Sequence, residues 1–343
     1  MAGDKRILVV LILLVQLPCW AQVNRYVIFF KDKQGTPFTI SDPAAFLSPQ
    51  AIERRIKQGI VVTEQDLPVN PSYVQGVAGA GADVFFRTRW FNGVLVQCDA
   101  ALVPSIQNLS FVDRVEFVAP GVKLSNGGRK KTSLRKKNGT VGIETKSQLE
   151  MIGVHEMHQA NVIGQNITIA VFDAGFPGVD ATAPFSEIFA ENRFNAAASY
   201  DFVYNTTDVF QYDGHGTEVL SVIAAKIPDD YTGGAYEANF QLYVTEDASS
   251  EYRVEEYNWA FAAERADSAG ADIINSSLGY YDFDDASMNY TTAQMDGQTA
   301  VVTKAAQWSA ERGIVVVCSA GNEGNIPSWR IITAPADAVD VLA

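Results

Sequence analysis

The sequence contains only three cysteines in 343 residues. Cys19 falls in an amino-terminal segment that we predict to be removed, and Cys98 and Cys318 fall in separate predicted domains. Thiols so few and so scattered do not indicate a disulfide framework. Cys318 ends an apolar run that begins at Ile314, so we interpret it as a small buried hydrophobic residue. A hydrophobic content of 47% indicates that a globular core holds the chain together instead.

The apolar run near the amino terminus is too short to cross a membrane. It extends from Ile7 to Leu17, whereas a membrane-spanning helix needs about 20 apolar residues. It follows Lys5-Arg6 and leads to Ala21, which is the layout of a cleaved export signal. We therefore assign residues 1–21 to a signal peptide, with a retained anchor as the alternative. We expect a secreted, cell-surface or periplasmic protein without a stable membrane span.

Basic residues are scarce in the second half of the chain. Residues 146–343 hold 8 Lys and Arg against 29 Asp and Glu, whereas residues 1–145 hold 18 against 11. Such an acidic second half disfavours nucleic acid as a partner. The opposite charges of the two parts suggest that a basic first segment docks on an acidic second one.

Residues 22–120 have the pattern of a small α+β domain. Runs rich in β-branched and aromatic residues predict four strands, and two other stretches predict helices. The predicted strands are 25–30, 83–87, 94–97 and 112–118, and the predicted helices are 50–58 and 100–108. A nucleotide-binding loop is suggested by three glycines, Gly76, Gly79 and Gly81. The preceding strand and the spacing of such a loop are missing, so we interpret these glycines as a turn.

Residues 121–147 contain two basic clusters, 129–131 and 135–137, each next to glycine and asparagine. Like charges at this density repel one another and do not form a core, so the segment is interpreted as an exposed linker. In an exported protein such a linker is a candidate processing site. A solvated loop that is never cleaved remains the alternative.

Residues 148–343 alternate apolar strands with helical stretches. The predicted strands are 167–172, 240–244, 272–275 and 314–318, and the predicted helices are 217–225, 254–269 and 300–312. This pattern is typical of an α/β fold, in which helices cover both faces of a parallel sheet. The carboxyl ends of parallel strands meet at one crevice, where such sheets bind ligands.

Three polar motifs follow predicted strands and a fourth precedes the predicted helix 217–225, at the predicted crevice. Asp173 ends a strand, and His215 lies between two glycines that allow close backbone approach. Asn322 offers an amide donor suited to a developing oxyanion. The four motifs are Asp173-Ala174-Gly175, His215-Gly216-Thr217-Glu218-Val219, Ser277-Leu278-Gly279 and Ala320-Gly321-Asn322.

In this order the motifs resemble those of the subtilisin-like serine proteases. The stretch 47–55 and the run Asp173-Ala174-Gly175-Phe176 also resemble exported subtilases of the Bacteroidetes group. The resemblance implies an incomplete subtilisin-like catalytic domain over residues 148–343, preceded by a ferredoxin-like α+β propeptide that assists folding of the enzyme and blocks its site. One departure is Ala174, where the wider family has a hydroxyl residue.

The resemblance also implies roles for individual residues in a secreted endopeptidase acting on polypeptides. His215 would serve as general base, Asp173 would orient it, and Asn322 would donate to the oxyanion. The segments Ser277-Leu278-Gly279 and Ala320-Gly321 would pair with an extended peptide substrate.

The nucleophile expected from the resemblance is a serine in a Gly-Thr-Ser turn. Gly-Thr occurs at 35–36, 139–140 and 216–217 and is never followed by Ser. We therefore expect the chain to be a fragment whose serine lies beyond Ala343. The alternative is a truncated or inactive relative that only binds peptides.

Metal ligands are not evident from the sequence. His155 and His158 are three residues apart, whereas zinc-protease helices space their histidines four apart. No cofactor is expected; calcium is implied only by the family resemblance, without an assigned site. Glu246, Asp247, Glu251, Glu255 and Glu256 are interpreted as a solvated face or as a surface that meets the basic first domain.

Overall fold

The computed structural model describes residues 23–121, 146–228, 231–326 and 329–343. The predicted signal peptide and most of the predicted linker lie outside the described residues. Within the described ranges, no helix combines the length and the apolar character required to cross a membrane.

The first domain contains a four-stranded antiparallel sheet with the strand order β2-β3-β1-β4. All four predicted strands are confirmed, with slightly longer bounds: β1 (Val23–Phe30), β2 (Asp83–Thr88), β3 (Gly93–Asp99) and β4 (Val112–Pro120). This order places the first strand between the third and the fourth, as in a ferredoxin-like fold. The predicted α+β class is therefore confirmed.

Three helices accompany this sheet: α1 (Pro49–Gln58), α2 (Pro71–Gly79) and α3 (Val103–Gln107). Ser48 Oγ accepts from Ala51 N at the start of α1, and Gly59 ends the helix in the left-handed conformation. The interpretation of Gly76 and Gly79 as turn residues was wrong, because both lie in α2. Asn70 caps this helix and Pro71 occupies its first position, a start signal that outweighs the two glycines.

The second domain contains a five-stranded parallel sheet with the strand order β11-β10-β5-β9-β6. The predicted strands are confirmed as β5 (Thr168–Asp173), β9 (Asn239–Val244), β10 (Ile273–Ser276) and β11 (Val315–Cys318). The short strands that sequence reasoning missed are β6 (Tyr200–Asp201) and the antiparallel pair β7 (Lys226–Ile227) and β8 (Tyr231–Thr232).

Helices cover both faces of the parallel sheet, as predicted. Along β5, Ile169 and Val171 face a cluster that includes Leu220 of α7, whereas Ala170 and Phe172 face a cluster built by α8 and α9. Alternate residues of a strand point to opposite faces, which accounts for this division. The helices of the domain are α4 (Lys146–Met151), α5 (Val154–Gln159), α6 (Ser186–Ala190), α7 (His215–Ala224), α8 (Val254–Ala269) and α9 (Val301–Glu311).

The first domain packs its sheet against α8 and α9 of the second. Tyr26 and Ile28 point into the first domain's own core, while Val27 and Phe29 join the cluster that contains Tyr257 and Ala305. Thirteen of the sixteen residues of α8 are buried, because this helix lies between the two sheets. The two domains therefore share one apolar cluster.

Candidate active site

His215 and Asp173 lie within hydrogen-bonding distance at the carboxyl-terminal edge of the parallel sheet. Nδ1 of His215 is 2.9 Å from Oδ1 and 2.9 Å from Oδ2 of Asp173. Asp173 is the last residue of β5 and is fully buried, whereas half of the His215 side chain is exposed. One edge of the imidazole is therefore exposed at the crevice, while the Nδ1 edge is hydrogen-bonded to the buried carboxylate.

Glycine at position 216 allows the two side chains to approach. A Cβ atom there would lie 2.4 Å from the carbonyl oxygen of Gly175 and 2.8 Å from Cβ of Asp173. His215 is the first residue of α7, and its backbone N–H donates to Asp213 Oδ1 at 2.9 Å. The prediction that a helix begins near Thr217 is therefore corrected by two residues.

The Thr217 hydroxyl donates to the carbonyl of Pro177 at 3.0 Å.

His215 and Asp173 each have a pKa above the ordinary value of an isolated histidine or aspartate. The hydrogen bond to Asp173 raises the pKa of His215, against the opposing effect of burial. Burial raises the pKa of Asp173, although the His215 side chain and the Ala174 N–H both oppose that shift. The Ala174 N–H donates to Asp173 Oδ1 at 2.8 Å, so the backbone supplies one bond where Ala174 has no side-chain hydroxyl.

The other predicted site segments follow β10 and β11, at the same edge of the sheet. Ser276 ends β10, and its carbonyl accepts from the Ser319 N–H at 3.0 Å, so the two strand ends stay paired where the motifs begin. Ser277 and Leu278 are partly buried, whereas Gly279, Ala320, Gly321 and Asn322 are exposed. The backbone N–H of Asn322 donates to Glu323 Oε2 at 2.8 Å. Only Asp173 and His215 are thus joined directly among these residues.

The two histidines of α5 have separate partners. His158 Nε2 is 2.9 Å from the carbonyl oxygen of Gly234, and His155 Nε2 is 2.9 Å from Gln159 Nε2. These contacts agree with the structural interpretation of both residues.

The acidic residues after β9 are not a solvated face, so that alternative was wrong. The other alternative, a surface that meets the first domain, is supported at Glu255, which attracts Arg25 of the first domain. Glu246, Glu255 and Glu256 are buried, and Glu251 is partly buried. Glu255 and Glu256 lie in the first turn of α8, where the helix dipole favours negative charge. Sequence reasoning missed the burial because burial depends on how closely the first domain covers α8, which no local pattern of residues shows.

Comparison with known families identifies both parts of the chain. Residues 164–343 match the model of the subtilase family, and residues 25–137 match the model of the peptidase S8 propeptide domain of Bacteroidota. The chain therefore belongs to the subtilase family, and its first domain is of the propeptide type.

Two curated relatives come from Bacillus subtilis strain 168. Subtilisin E is 28% identical over 199 residues, which cover 57% of this chain and 44% of the relative. The minor extracellular protease Vpr is 24% identical over 262 residues, which cover 74% of this chain and 29% of the relative. The chain thus spans less than half the length of either relative.

Two solved structures share the fold over nearly the whole chain. The epidermin leader peptide processing serine protease of Staphylococcus aureus aligns with a TM-score of 0.55 at 15% identity, covering 93% of this chain and 68% of that one. Fervidolysin from Fervidobacterium pennivorans aligns with a TM-score of 0.50 at 18% identity, and the alignment covers 92% of this chain and 42% of fervidolysin. Both support the combination of the parallel sheet with a preceding small domain.

Proposed function

We propose that this chain is the propeptide and most of the catalytic domain of an exported serine endopeptidase. The observation that carries the proposal is the hydrogen bond between His215 Nδ1 and the buried Asp173 carboxylate. A carboxylate at Nδ1 selects the imidazole tautomer whose Nε2 can accept a proton, and it stabilises the imidazolium that forms. Membership of the subtilase family supports the same chemistry.

In this proposal His215 Nε2 removes the proton from a serine hydroxyl and later returns it to the leaving amine. The serine is supplied by sequence that follows Ala343. Asn322 donates to the oxyanion from the loop after β11, while Ser277-Leu278-Gly279 and Ala320-Gly321 pair with the substrate backbone. Export through the segment 1–21 accords with the extracellular relative from Bacillus subtilis.

The first domain is proposed to inhibit the enzyme intramolecularly until the segment 121–147 is cut. This proposal is supported by the apolar cluster that the first domain shares with α8 and α9. β4 ends at Pro120, so the segment to be cut begins where the sheet ends.

The test is to express the complete coding sequence with and without His215→Ala. We expect the unchanged protein to process itself between residues 121 and 147 and to hydrolyse casein, and we expect the variant to do neither. Asp180→Asn, a change at an exposed carboxylate of the same domain, is the matched control and should leave both activities intact. Undiminished hydrolysis by His215→Ala would refute the role of the imidazole. A complete sequence without a serine nucleophile would favour a peptide-binding relative.

A further inference from the structure

The backbone of Tyr212, three residues before His215, has a conformation that is unusual for its residue type. Its φ is 75°, in the left-handed region. In the described part of the chain six other non-glycine residues have positive φ, and each is asparagine or aspartate, the types that adopt this region most readily. For a bulky aromatic residue the same conformation is an outlier whose cost the surrounding structure must offset.

The turn that contains Tyr212 lies against the segment that follows β5. An antiparallel bridge pairs Tyr212 with Gly175. The Phe176 N–H donates to the carbonyl of Val209 at 3.0 Å. A Cβ atom at Gly175 would lie 2.1 Å from the carbonyl oxygen of Gln211, so the two backbones touch here. The loop before α7 is therefore joined to the end of β5 at more than one point.

The side chain of Tyr212 is held from the edge of the parallel sheet. Tyr212 is 6% exposed, and its ring stacks on that of Tyr204 with the centroids 4.5 Å apart and the planes at 26°. The backbone N–H groups of Val203 and Tyr204 both donate to Asp201 Oδ1 at 2.8 Å. Asp201 is fully buried and belongs to β6, which pairs with β9. The ring contact thus connects the strained residue to the sheet.

The same turn leads directly to the His215–Asp173 pair. Asp213 follows Tyr212, and its Oδ1 accepts from the His215 N–H at 2.9 Å where α7 begins. At the other side of His215, Nδ1 is 2.9 Å from both carboxylate oxygens of Asp173. Hydrogen bonds weaken steeply when their geometry is distorted. A rotation of the backbone at position 212 would therefore move the imidazole relative to its carboxylate.

We propose that Tyr212 is a positioning residue, whose ring, stacked on Tyr204, holds the turn before α7 so that His215 stays on the Asp173 carboxylate. The inference rests on the function proposed for His215, because positioning matters for a group that takes part in the reaction. Glycine at position 212 would adopt the observed φ without strain. A tyrosine there is accounted for by its ring contact, since its backbone preference opposes the turn.

The first test is NMR titration of the His215 imidazole in this chain, with its resonance assigned by its absence from His215→Ala. We expect Tyr212→Gly to lower the midpoint toward the ordinary value of about 6.5, because the bond to Asp173 is the main cause of the raised pKa. Asp173, Asp213 and Glu218 all favour the protonated imidazole and all remain in this variant, so a shift reports a change of geometry. Tyr212→Phe keeps the ring and should keep the midpoint.

A second variant and a matched control complete this measurement. Tyr204→Leu removes the stacked ring and leaves the turn itself unaltered, so it should lower the midpoint of His215 even if Tyr212→Gly does not fold. Asn192→Gly is the control, because Asn192 also has positive φ, at 55°, and is exposed outside this turn. It should leave the midpoint unchanged.

The second test is kinetic and uses the protein expressed from the complete coding sequence. Tyr212→Gly should lower kcat for peptide hydrolysis at least about tenfold and leave KM nearly unchanged, because it disturbs the base and not the substrate segments. Tyr212→Phe should restore kcat. A purely structural role would lower the free energy of unfolding and would leave the midpoint of His215 and the kcat of the folded protein unchanged.

The proposal is overturned if folded Tyr212→Gly has an unchanged midpoint or, where that variant does not fold, if Tyr204→Leu has one. It is also overturned if Asn192→Gly lowers the midpoint equally, or if Tyr212→Phe loses as much as Tyr212→Gly. Undiminished hydrolysis by His215→Ala would instead refute the proposed function. The midpoints measured in this chain would still decide whether Tyr212 holds the imidazole in place.

Discussion

Arg55 of the first domain and Asp267 of α8 form an ion pair of 2.9 Å in which both side chains are almost completely buried. Arg54 and Arg89, also from the first domain, donate to the same carboxylate. Three arginines thus converge on a single aspartate at the domain interface. The charge complementarity suggested by the sequence is present here, but it is concentrated on a few buried groups rather than spread over exposed faces.

Replacing Asp267 by Ala should destabilise the folded chain by about 3–5 kcal/mol, because it removes the buried carboxylate that three buried guanidinium groups share. The measurement is the free energy of unfolding from urea denaturation. The exposed pair of Lys57 and Glu53, also at 2.9 Å, provides the control. Glu53→Ala should leave the free energy of unfolding nearly unchanged, since an exposed pair contributes little. Equal losses in the two variants would contradict the assigned importance of burial.

The imidazole of His215 should titrate above its ordinary pKa of about 6.5. Because the folded-state pKa exceeds the unfolded-state value, the stabilisation is fully present below about pH 6.5 and is lost as the pH rises through the raised pKa. Titration of the imidazole resonances by NMR checks this. Asp173→Asn should lower the midpoint, and Asp213→Asn should lower it less, because the bond to Asp173 is the larger cause.

The activity proposed for this protein should depend on the ionisation of the same groups. General-base catalysis needs the neutral imidazole, so kcat/KM should fall as the pH drops below the raised pKa of His215. Asp173→Asn should lower kcat by about 10⁴, because the amide favours the wrong tautomer. A variant with nearly unchanged kcat would show that Asp173 does not orient His215.

Gly216→Ala should separate α7 from the end of β5. The added Cβ would lie 2.4 Å from a backbone oxygen that cannot rotate away, so we expect a loss of about 1–3 kcal/mol in unfolding free energy. The NMR midpoint of His215 should also fall as the bond to Asp173 lengthens. Gly234→Ala is the control, because nothing lies within 4 Å of its added Cβ. An unshifted midpoint in Gly216→Ala would count against this explanation of the glycine.

The two cysteines of the described residues should resist thiol reagents in the folded state. Cys98 and Cys318 are both free and buried, and burial raises the pKa of Cys318 to about 12. A thiol reagent should therefore react with neither residue in the native chain lacking residues 1–21, and with both after unfolding. Rapid labelling without denaturant would show that β11 or β3 opens locally.

Strand and helix positions were predictable where a local signal was strong. Continuous apolar runs identified β5, β9, β10 and β11, and Ser48 with Gly59 defined both ends of α1. The prediction failed at α2, where the glycines obscured a helix stabilised by Asn70 and Pro71 at its start. It also missed β6, because a strand of two residues has no periodicity to detect.

The sequence by itself determined the order of the main strands and helices, and it placed Asp173 at a strand end and His215 in the turn before a helix. Such features depend on residues close in the chain. Only the tertiary structure decided that β5 lies between β10 and β9, that Arg54, Arg55 and Arg89 share Asp267, and that Glu246, Glu251 and Glu255 are buried together. These relationships join segments distant in sequence, and burial depends on which surfaces meet, so no local pattern of residues could specify them.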